Sequence, residues 1–366
     1  MRFSITRESL LKPLQVVSGV VEKRQTLPIL SNVLVTTDAG KLTLVGTDLE
    51  VELLATTSVS DADNGEITLP ARKFMDICKA LPEEAMVEIK IDGERATVRS
   101  GRSRFTLATL PATEFPATES VAGTFEFQVP QRDLKRLIDQ TQFSMANQDV
   151  RYYLNGLLLE VNSNGLRAVA TDGHRLAVCD AALDIDNGEE RQVIIPRKGV
   201  SELVRLLDDV DESCTIQLNN NFIKIVVGDV TMTSKLIDGR FPDYDRVLPK
   251  GANRKVIAER TALRQTLLRT SILSNEKYRG VRLSFEPGRL CATVNNPEQE
   301  EAEEDIEIQY NGESFEIGFN VSYLLDALNA VKQDQVQLSM TDANSSCLIH
   351  GLDDDSSRYV VMPMRL

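Results

Sequence analysis

Gln148–Cys179, QDVRYYLNGLLLEVNSNGLRAVATDGHRLAVC, decides how this chain is read. Apolar and polar residues alternate through two strands joined at Asn164-Gly165, and a tight Thr171-Asp172-Gly173 turn leads into a third. The same phrase occurs twice more. LPILSNVLVTTDAGKLTLVGTDLEVEL begins at Leu27, and EKYRGVRLSFEPGRLCATVNNPEQEEAEE begins at Glu276. The corresponding turns, Thr47-Asp48, Thr171-Asp172 and Asn295-Asn296, are each 124 residues apart.

The surrounding chain keeps that period. Each unit opens on an amphipathic stripe: Leu10, Leu11, Leu14, Val17 and Val21; Leu134, Leu137, Ile138 and Thr141; Leu263, Leu267, Leu268 and Ile272. This is the spacing of one buried helical face. Pro13 inside the first predicts a late start or a kink. A second helix carries Phe74, Ile77, Cys78 and Leu81, then Val200, Leu203, Val204 and Leu207, then Val321, Leu324, Leu325 and Leu328, in identical register. Phe115-Pro116 and Phe241-Pro242 close the first two units. A period near 125 is too long for a solenoid. It predicts an α+β domain written three times, over 1–120, 121–250 and 251–366, each with two helices packed on about eight antiparallel strands.

Composition narrows the function. The chain has no run of about 18 apolar residues to suggest a membrane span, and its first residues, MRFSITRESLLK, lack a signal-peptide core. Five scattered cysteines fit free thiols in a reducing cytoplasm better than disulfides or a zinc site. The net charge of −14 argues against nucleic acid until the charge is mapped. Windows 7–24, 72–81, 132–151, 197–207, 260–282 and 320–332 hold 21 Lys and Arg against 9 Asp and Glu, a net +12, and the remainder carries −26. Basic helices on an otherwise acidic molecule predict an enclosed surface for a polyanion. No recognition-helix or zinc-finger motif is present, so contacts would go to backbone phosphates.

Across its whole length the chain resembles the bacterial sliding clamps, the beta subunits of DNA polymerase III. LPILSNVL, GTDLE, LPARKF, RSGRSRF, FSMANQDVRYYLNG, ATDGHRLAV, IPRKGV, SKLIDGRFPDY, LSNEKYRGVRL, NNPEQEEAEE, IGFNVSYLLDALNA and YVVMPMRL carry the resemblance. It implies half of a closed ring: a head-to-tail homodimer of three-domain protomers, helices inward, around duplex DNA, in the cytoplasm at nucleoid-associated replication forks. It implies a non-catalytic processivity subunit needing no cofactor or metal. Partners would be the replicative polymerase's catalytic subunit, the clamp loader and other polymerases, docking through short linear peptides, with no membrane.

Residue roles follow from the resemblance. Arg24, Arg72, Gln148, Tyr152 and Tyr153 match DNA-contacting positions, and Lys73, Arg197, Lys198, Lys277 and Arg279 lie in or beside the basic windows. Alternation predicts that one of the two tyrosines packs inward. Some family members have His where this chain has Asn147. The implied peptide pocket gathers Leu154, Thr171, Gly173, His174, Arg175, Leu176, Pro242, Arg246, Val247, Asn320, Tyr323, Ser346, Val360, Met362, Pro363, Met364 and Arg365; methionine suits a pocket that adapts to several partners. The implied dimer interface sets Arg102 and Arg104, with Phe105, Leu107, Ile272 and Leu273 as apolar core, against Glu298, Glu300, Glu301, Glu303, Glu304 and the adjoining Asp305. An alternative class remains: a hydrolase, metal-assisted or not, built on Asp172, His174 and Arg175. No GxSxG, P-loop, dinucleotide-binding or metal-ligand spacing supports it.

Overall fold

The computed structural model describes residues 1–21, 27–60, 62–116, 125–185 and 190–365. The first repeat runs β1 (Arg2–Thr6), α1 (Arg7–Val17), β2 (Asn32–Asp38), β3 (Lys41–Thr47), β4 (Val51–Ser58), β5 (Gly65–Pro70), α2 (Ala71–Ala80), β6 (Met86–Asp92), β7 (Arg95–Ser100) and β8 (Ser103–Ala108). The second runs β9 (Phe125–Pro130), α3 (Gln131–Asp139), β10 (Gly156–Asn162), β11 (Gly165–Thr171), β12 (Arg175–Ala182), β13 (Arg191–Pro196), α4 (Arg197–Leu206), β14 (Ser213–Leu218), β15 (Phe222–Val227) and β16 (Val230–Lys235). The third runs β17 (Arg254–Glu259), α5 (Arg260–Thr270), β18 (Gly280–Glu286), β19 (Arg289–Asn295), β20 (Glu301–Glu307), β21 (Phe315–Asn320), α6 (Val321–Ala330), β22 (Gln335–Met340), β23 (Cys347–Gly351) and β24 (Asp354–Val361). The order of helices and strands is the same all three times.

The helices form where their caps and apolar stripes direct. Thr6 Oγ1 accepts from Ser9 N–H at 3.4 Å, so α1 starts at Arg7 and not after Pro13. Pro13 is a buried residue inside the helix. Val21 lies beyond the end of α1, and Val20 is buried instead. Thr141 follows α3 but is buried, its hydroxyl donating to Leu137 O at 2.6 Å. The stripe of α5 differs from expectation. The helix ends at Thr270, which leaves Ile272 76% exposed in a 3₁₀ turn; Leu263, Thr266, Leu267 and Thr270 form the buried face. In the second helix of every repeat three members of the stripe are buried, while Ile77, Val204 and Leu325 are half-buried.

Contacts divide the chain into two units, residues 1–134 with 198–236, and residues 135–197 with 237–366. The first unit holds a four-stranded sheet, β1-β6-β7-β8, and an eight-stranded sheet, β5-β2-β3-β4-β16-β15-β14-β9. Phe3, Leu10, Leu14, Val17, Leu42 and Phe74 lie in its core. The second unit holds an eight-stranded sheet, β13-β10-β11-β12-β24-β23-β22-β17, and a four-stranded sheet, β20-β19-β18-β21. Phe285, Phe319, Leu324 and Tyr359 anchor its core. The middle repeat is therefore shared, giving β9 and β14–β16 to one unit and β10–β13 to the other.

The shared repeat is joined to its neighbours by ordinary antiparallel ladders. In the first unit β4 pairs with β16, from Ala55 opposite Val230 to Val51 opposite Ser234. In the second β12 pairs with β24, from Arg175 opposite Val361 to Cys179 opposite Ser357. The hairpin between β10 and β11 turns at Ser163-Asn164, and Gly165 already pairs with Asn162. Gly165 has φ +134°, and a Cβ there would sit 2.0 Å from Ala181 O, so no other residue fits.

All five cysteines are free thiols, four of them buried. No described helix is long and apolar enough to cross a membrane.

Candidate functional site

The turn that opened the reading has one hydrogen-bond design in the first two repeats. Thr47 Oγ1 accepts from Leu49 N–H and donates to Val51 O, and Asp48 Oδ1 accepts from the N–H groups of Glu50 and Val51. One repeat later Thr171 Oγ1 accepts from Gly173 N–H and donates to Arg175 O, and Asp172 Oδ1 accepts from His174 and Arg175 N–H. Leu49 and Gly173 both have positive φ, +77° and +88°. A short polar side chain bonding to backbone two and three residues ahead is what makes such a turn. In the third repeat the turn is longer, with Asn296 accepting from Glu300 N–H at 3.0 Å.

In the second unit this turn lies against the C-terminal tail. Val360 and Val361 pair with Leu176 and Arg175, and Met362 N–H then donates to His174 O at 2.9 Å. Met364 N–H donates to Gly318 O at 2.8 Å, which carries the tail from β12 to β21. Leu154, Leu176 and Val360 are buried in one apolar cluster with Phe241 and Tyr244, and Tyr153 and Leu348 pack against it. Pro242, Arg246 and Val247 follow Phe241 and are exposed, as are Gly173 and His174. Asn320 caps α6 by accepting from Ser322 N–H at 2.9 Å, with Tyr323 in the first turn. Ser346 precedes β23, the strand that carries Leu348. Met362 is exposed and Met364 half-exposed, so the tail presents thioethers beside that buried apolar cluster.

Arg175 is held tightly at the end of this turn. Its Nε donates to Asp172 Oδ2 at 3.2 Å, one Nη to Asp326 and the other to Phe143 O at 2.6 Å. Its guanidinium carbon lies 4.5 Å from the centroid of Tyr323 and 5.5 Å from that of Phe143. Two carboxylates and two rings thus hold one cation that is largely buried. Burial, and then Asp172, raise the Tyr323 phenol above its ordinary pKa, so it stays a neutral donor. Nothing in the sequence pattern singled out Phe143 or Asp326. Asp172 serves as a turn cap and counter-ion, accepting from the His174 and Arg175 N–H groups and from the Arg175 guanidinium.

The residues assigned to DNA are spread over both units. Arg72 and Lys73 are exposed in the first turn of α2. Gln148, with φ +55°, is exposed on a loop where Arg151 donates twice to Asp149, at 3.0 and 2.8 Å, and holds that carboxyl down to about 2. Tyr152 is exposed and Tyr153 half-buried, their rings 5.8 Å apart edge to face; one ring does turn inward, but the pair sits in a 3₁₀ turn and not on the strand that alternation assumed. Arg197 donates to Met145 O and Ala146 O, and Lys198 pairs with Asp48, so both also tie structure together. Lys277 and Arg279 stand in a turn after α5, not on a helix. Arg24 lies outside the described residues. The helices proper carry 14 basic and 6 acidic residues, a net +8, and α6 is the one with a net negative charge.

Two strands at sheet edges carry the opposed charges. β8, with Arg104 and the preceding Arg102 exposed, Phe105 half-buried and Leu107 buried, ends one four-stranded sheet. β20, with Glu301 and Glu303 outward, ends the other. Glu298 and Glu300 are exposed just before it, and Leu273 packs on the core of the second unit. Glu304 points inward, accepting from Thr266 at 2.8 Å and Arg269 at 2.9 Å, and Asp305 pairs with Arg289 at 2.7 Å.

Comparison with known proteins gives one consistent answer. Family models of the DNA polymerase III beta subunit match in sequence: its N-terminal domain over 1–119, its central domain over 128–243 and its C-terminal domain over 245–365. The beta sliding clamp of Pseudomonas aeruginosa is 56% identical, and that of Escherichia coli K12 53%, each over 367 residues and all of both chains. A crystal structure of the P. aeruginosa subunit superposes with a TM-score of 0.98 at 55% identity, covering both chains fully. A P. aeruginosa sliding clamp bound to griselimycin gives 0.97 at 56%, again with full coverage of both chains.

Proposed function

We propose, from the premise that this chain belongs to the DNA polymerase III beta subunit family, how its residues perform the work of a sliding clamp. It is a processivity factor that tethers the replicative polymerase to DNA, and the hydrolase alternative falls. Its three clamp domains run over 1–120, 121–250 and 251–366.

One observation carries the ring. Consecutive repeats are joined by the same ladder, β4 with β16 and then β12 with β24. Each step advances eight strands on one side and eight on the other. The next pair in the series is β20 with β8, which a single chain leaves as two sheet edges. A second copy supplies the missing partner at each end, giving a head-to-tail homodimer that closes after six repeats. Charge supports this pairing. Arg99 stands directly opposite Arg104 on β7 and β8, an unfavourable like-charge pair that Glu301, Glu303 and the acidic residues before them would relieve. Phe105, Leu107, Ile272 and Leu273 supply apolar burial, and the ion pairs set register and association rate.

Around DNA the basic helices α1–α5, with Arg24, Arg72, Lys73, Gln148, Tyr152, Arg197, Lys198, Lys277 and Arg279, face the phosphates. Contacts there are weak, salt-dependent and without sequence readout, as sliding requires. The groove between the Thr171–Leu176 turn and the Met362–Arg365 tail receives apolar anchors of short peptides from the polymerase catalytic subunit, the clamp loader and other polymerases. Tethering raises the polymerase's effective concentration at the primer end. The site of action is the cytoplasm, on the nucleoid at replication forks. Primer extension by the cognate polymerase and loader tests this: adding the chain lengthens products per binding event at least tenfold, and unchanged lengths contradict it.

A further inference from the structure

Beside the tail lies a groove that shares Met364 and Arg365 with the proposed peptide site and Glu301 and Glu303 with the proposed β20–β8 seam. It has a volume of about 730 Å³, and Tyr278, Arg282, Glu316, Met364 and Arg365 line the end nearest the tail. Its floor is the outward face of the sheet β20-β19-β18-β21, and its far rim is Glu301 and Glu303. Tyr278 is 56% exposed, and Lys277 Nζ lies 5.2 Å from its ring centroid. Asn320, at the edge of the peptide groove, donates to Tyr278 O at 3.4 Å, and Met364 and Arg365 border the space directly. The two grooves thus share the C-terminal tail as a common wall.

Charge along this groove is divided. At the tail end the lining carries Arg282 and Arg365, and its carboxylate, Glu316, reaches Arg282 at 3.7 Å. At the far end stand only carboxylates, Glu301 and Glu303. A nucleic-acid strand lying along the groove would meet that rim, where Glu298, Glu300, Glu301 and Glu303 outnumber the Arg99, Arg102 and Arg104 that the proposed seam sets against them, and the residual negative charge repels it. A polypeptide can put an acidic residue at the cationic end and neutral ones beyond. We infer that this groove receives the segment of a partner polypeptide that flanks its apolar anchors, and that an acidic residue beside those anchors docks against Arg282 and Arg365 beside Tyr278.

The inference rests on the peptide groove proposed above, and the test separates the two. The probe is the fluorescein-labelled clamp-binding segment of the cognate polymerase, used bare and with Asp-Gly-Asp or Lys-Gly-Lys added at either end. Anisotropy titrations of the full-length dimer are compared with those of R282E and Y278S, neither of which touches the peptide groove floor. The acidic flank on one end is expected to tighten binding about fivefold at low salt, and the basic flank to weaken it. R282E should remove the gain and leave the bare segment's affinity unchanged. If the bare segment binds and neither flank changes its Kd, the second groove is not used and the inference is overturned. If the bare segment does not bind, the peptide groove itself is wrong and this extension falls with it. If R282E instead weakens a 12-nucleotide oligo-dT and spares the acidic-flank gain, the surface serves nucleic acid and the inference is likewise overturned.

Discussion

Removing Met364 to Leu366 should separate binding from folding. Val360 and Val361, which complete the β12–β24 ladder, are 1% exposed and stay in place. Met362 also stays, with its N–H on His174 O at 2.9 Å. The truncation removes one backbone hydrogen bond, Met364 N–H to Gly318 O, whose net contribution is about 1 kcal/mol. At about 2 cal/mol/K per residue, a chain of this length would lose only about 1 °C of Tm if it unfolds as one unit. Binding should suffer far more, because one wall of the groove goes. Loss of two anchor contacts at about 1.4 kcal/mol each is about a hundredfold in Kd. The assay is anisotropy of a labelled polymerase peptide, with calorimetric Tm and sedimentation on the same sample. Unchanged peptide affinity, or a fall of 10 °C, would refute the assignment of the tail as a docking wall.

Charge reversal of both Arg102 and Arg104 to Glu should shift the dimer towards monomer at nanomolar concentration, read by sedimentation velocity; an unshifted dimer rules out β8 as an interface strand. The paired turns make one prediction, that glycine is favoured, tested by opposite changes. Leu49→Gly relieves a left-handed residue and should stabilise by up to about 1 kcal/mol. Gly173→Leu at φ +88° puts a Cβ 3.0 Å from the Arg151 guanidinium and should destabilise by about 1–3 kcal/mol while weakening the peptide, with urea midpoints and peptide titrations as the checks. Arg72→Ala should lower the slope of log K against log salt for duplex binding by about 0.9 and leave sequence preference flat; an unchanged slope removes Arg72 from the phosphate contacts.

The repeat was legible because it is written in the residues that make structure. The 124-residue spacing of Thr47, Thr171 and Asn295 marks strand ends, and the apolar stripes of α2, α4 and α6 give both register and burial. Helix ends were less legible, since they depend on single caps. Thr6 starts α1 ahead of Pro13, and the end of α5 at Thr270 turns Ile272 out of the stripe and onto the surface. Of the proposed peptide groove, the tail and the Thr171–Leu176 turn are implied by family resemblance alone. The cage around Arg175 could not, because Phe143 and Asp326 reach it from 32 and 151 residues away and have no local signature. The acidic run looked uniform in sequence. Strand alternation splits it, sending Glu304 to Arg269 and leaving Glu301 and Glu303 outward.

The central claim is that the chain acts by encircling DNA, and topology tests that most directly. The protein would be loaded by its cognate clamp loader onto closed circular primed DNA, and bound protein measured before and after a single cut. Retention on the circle with release on linearisation is the predicted result. Protein that stays on the linear product as firmly as on the circle would mean contact affinity alone, and would contradict the ring built from β20 and β8.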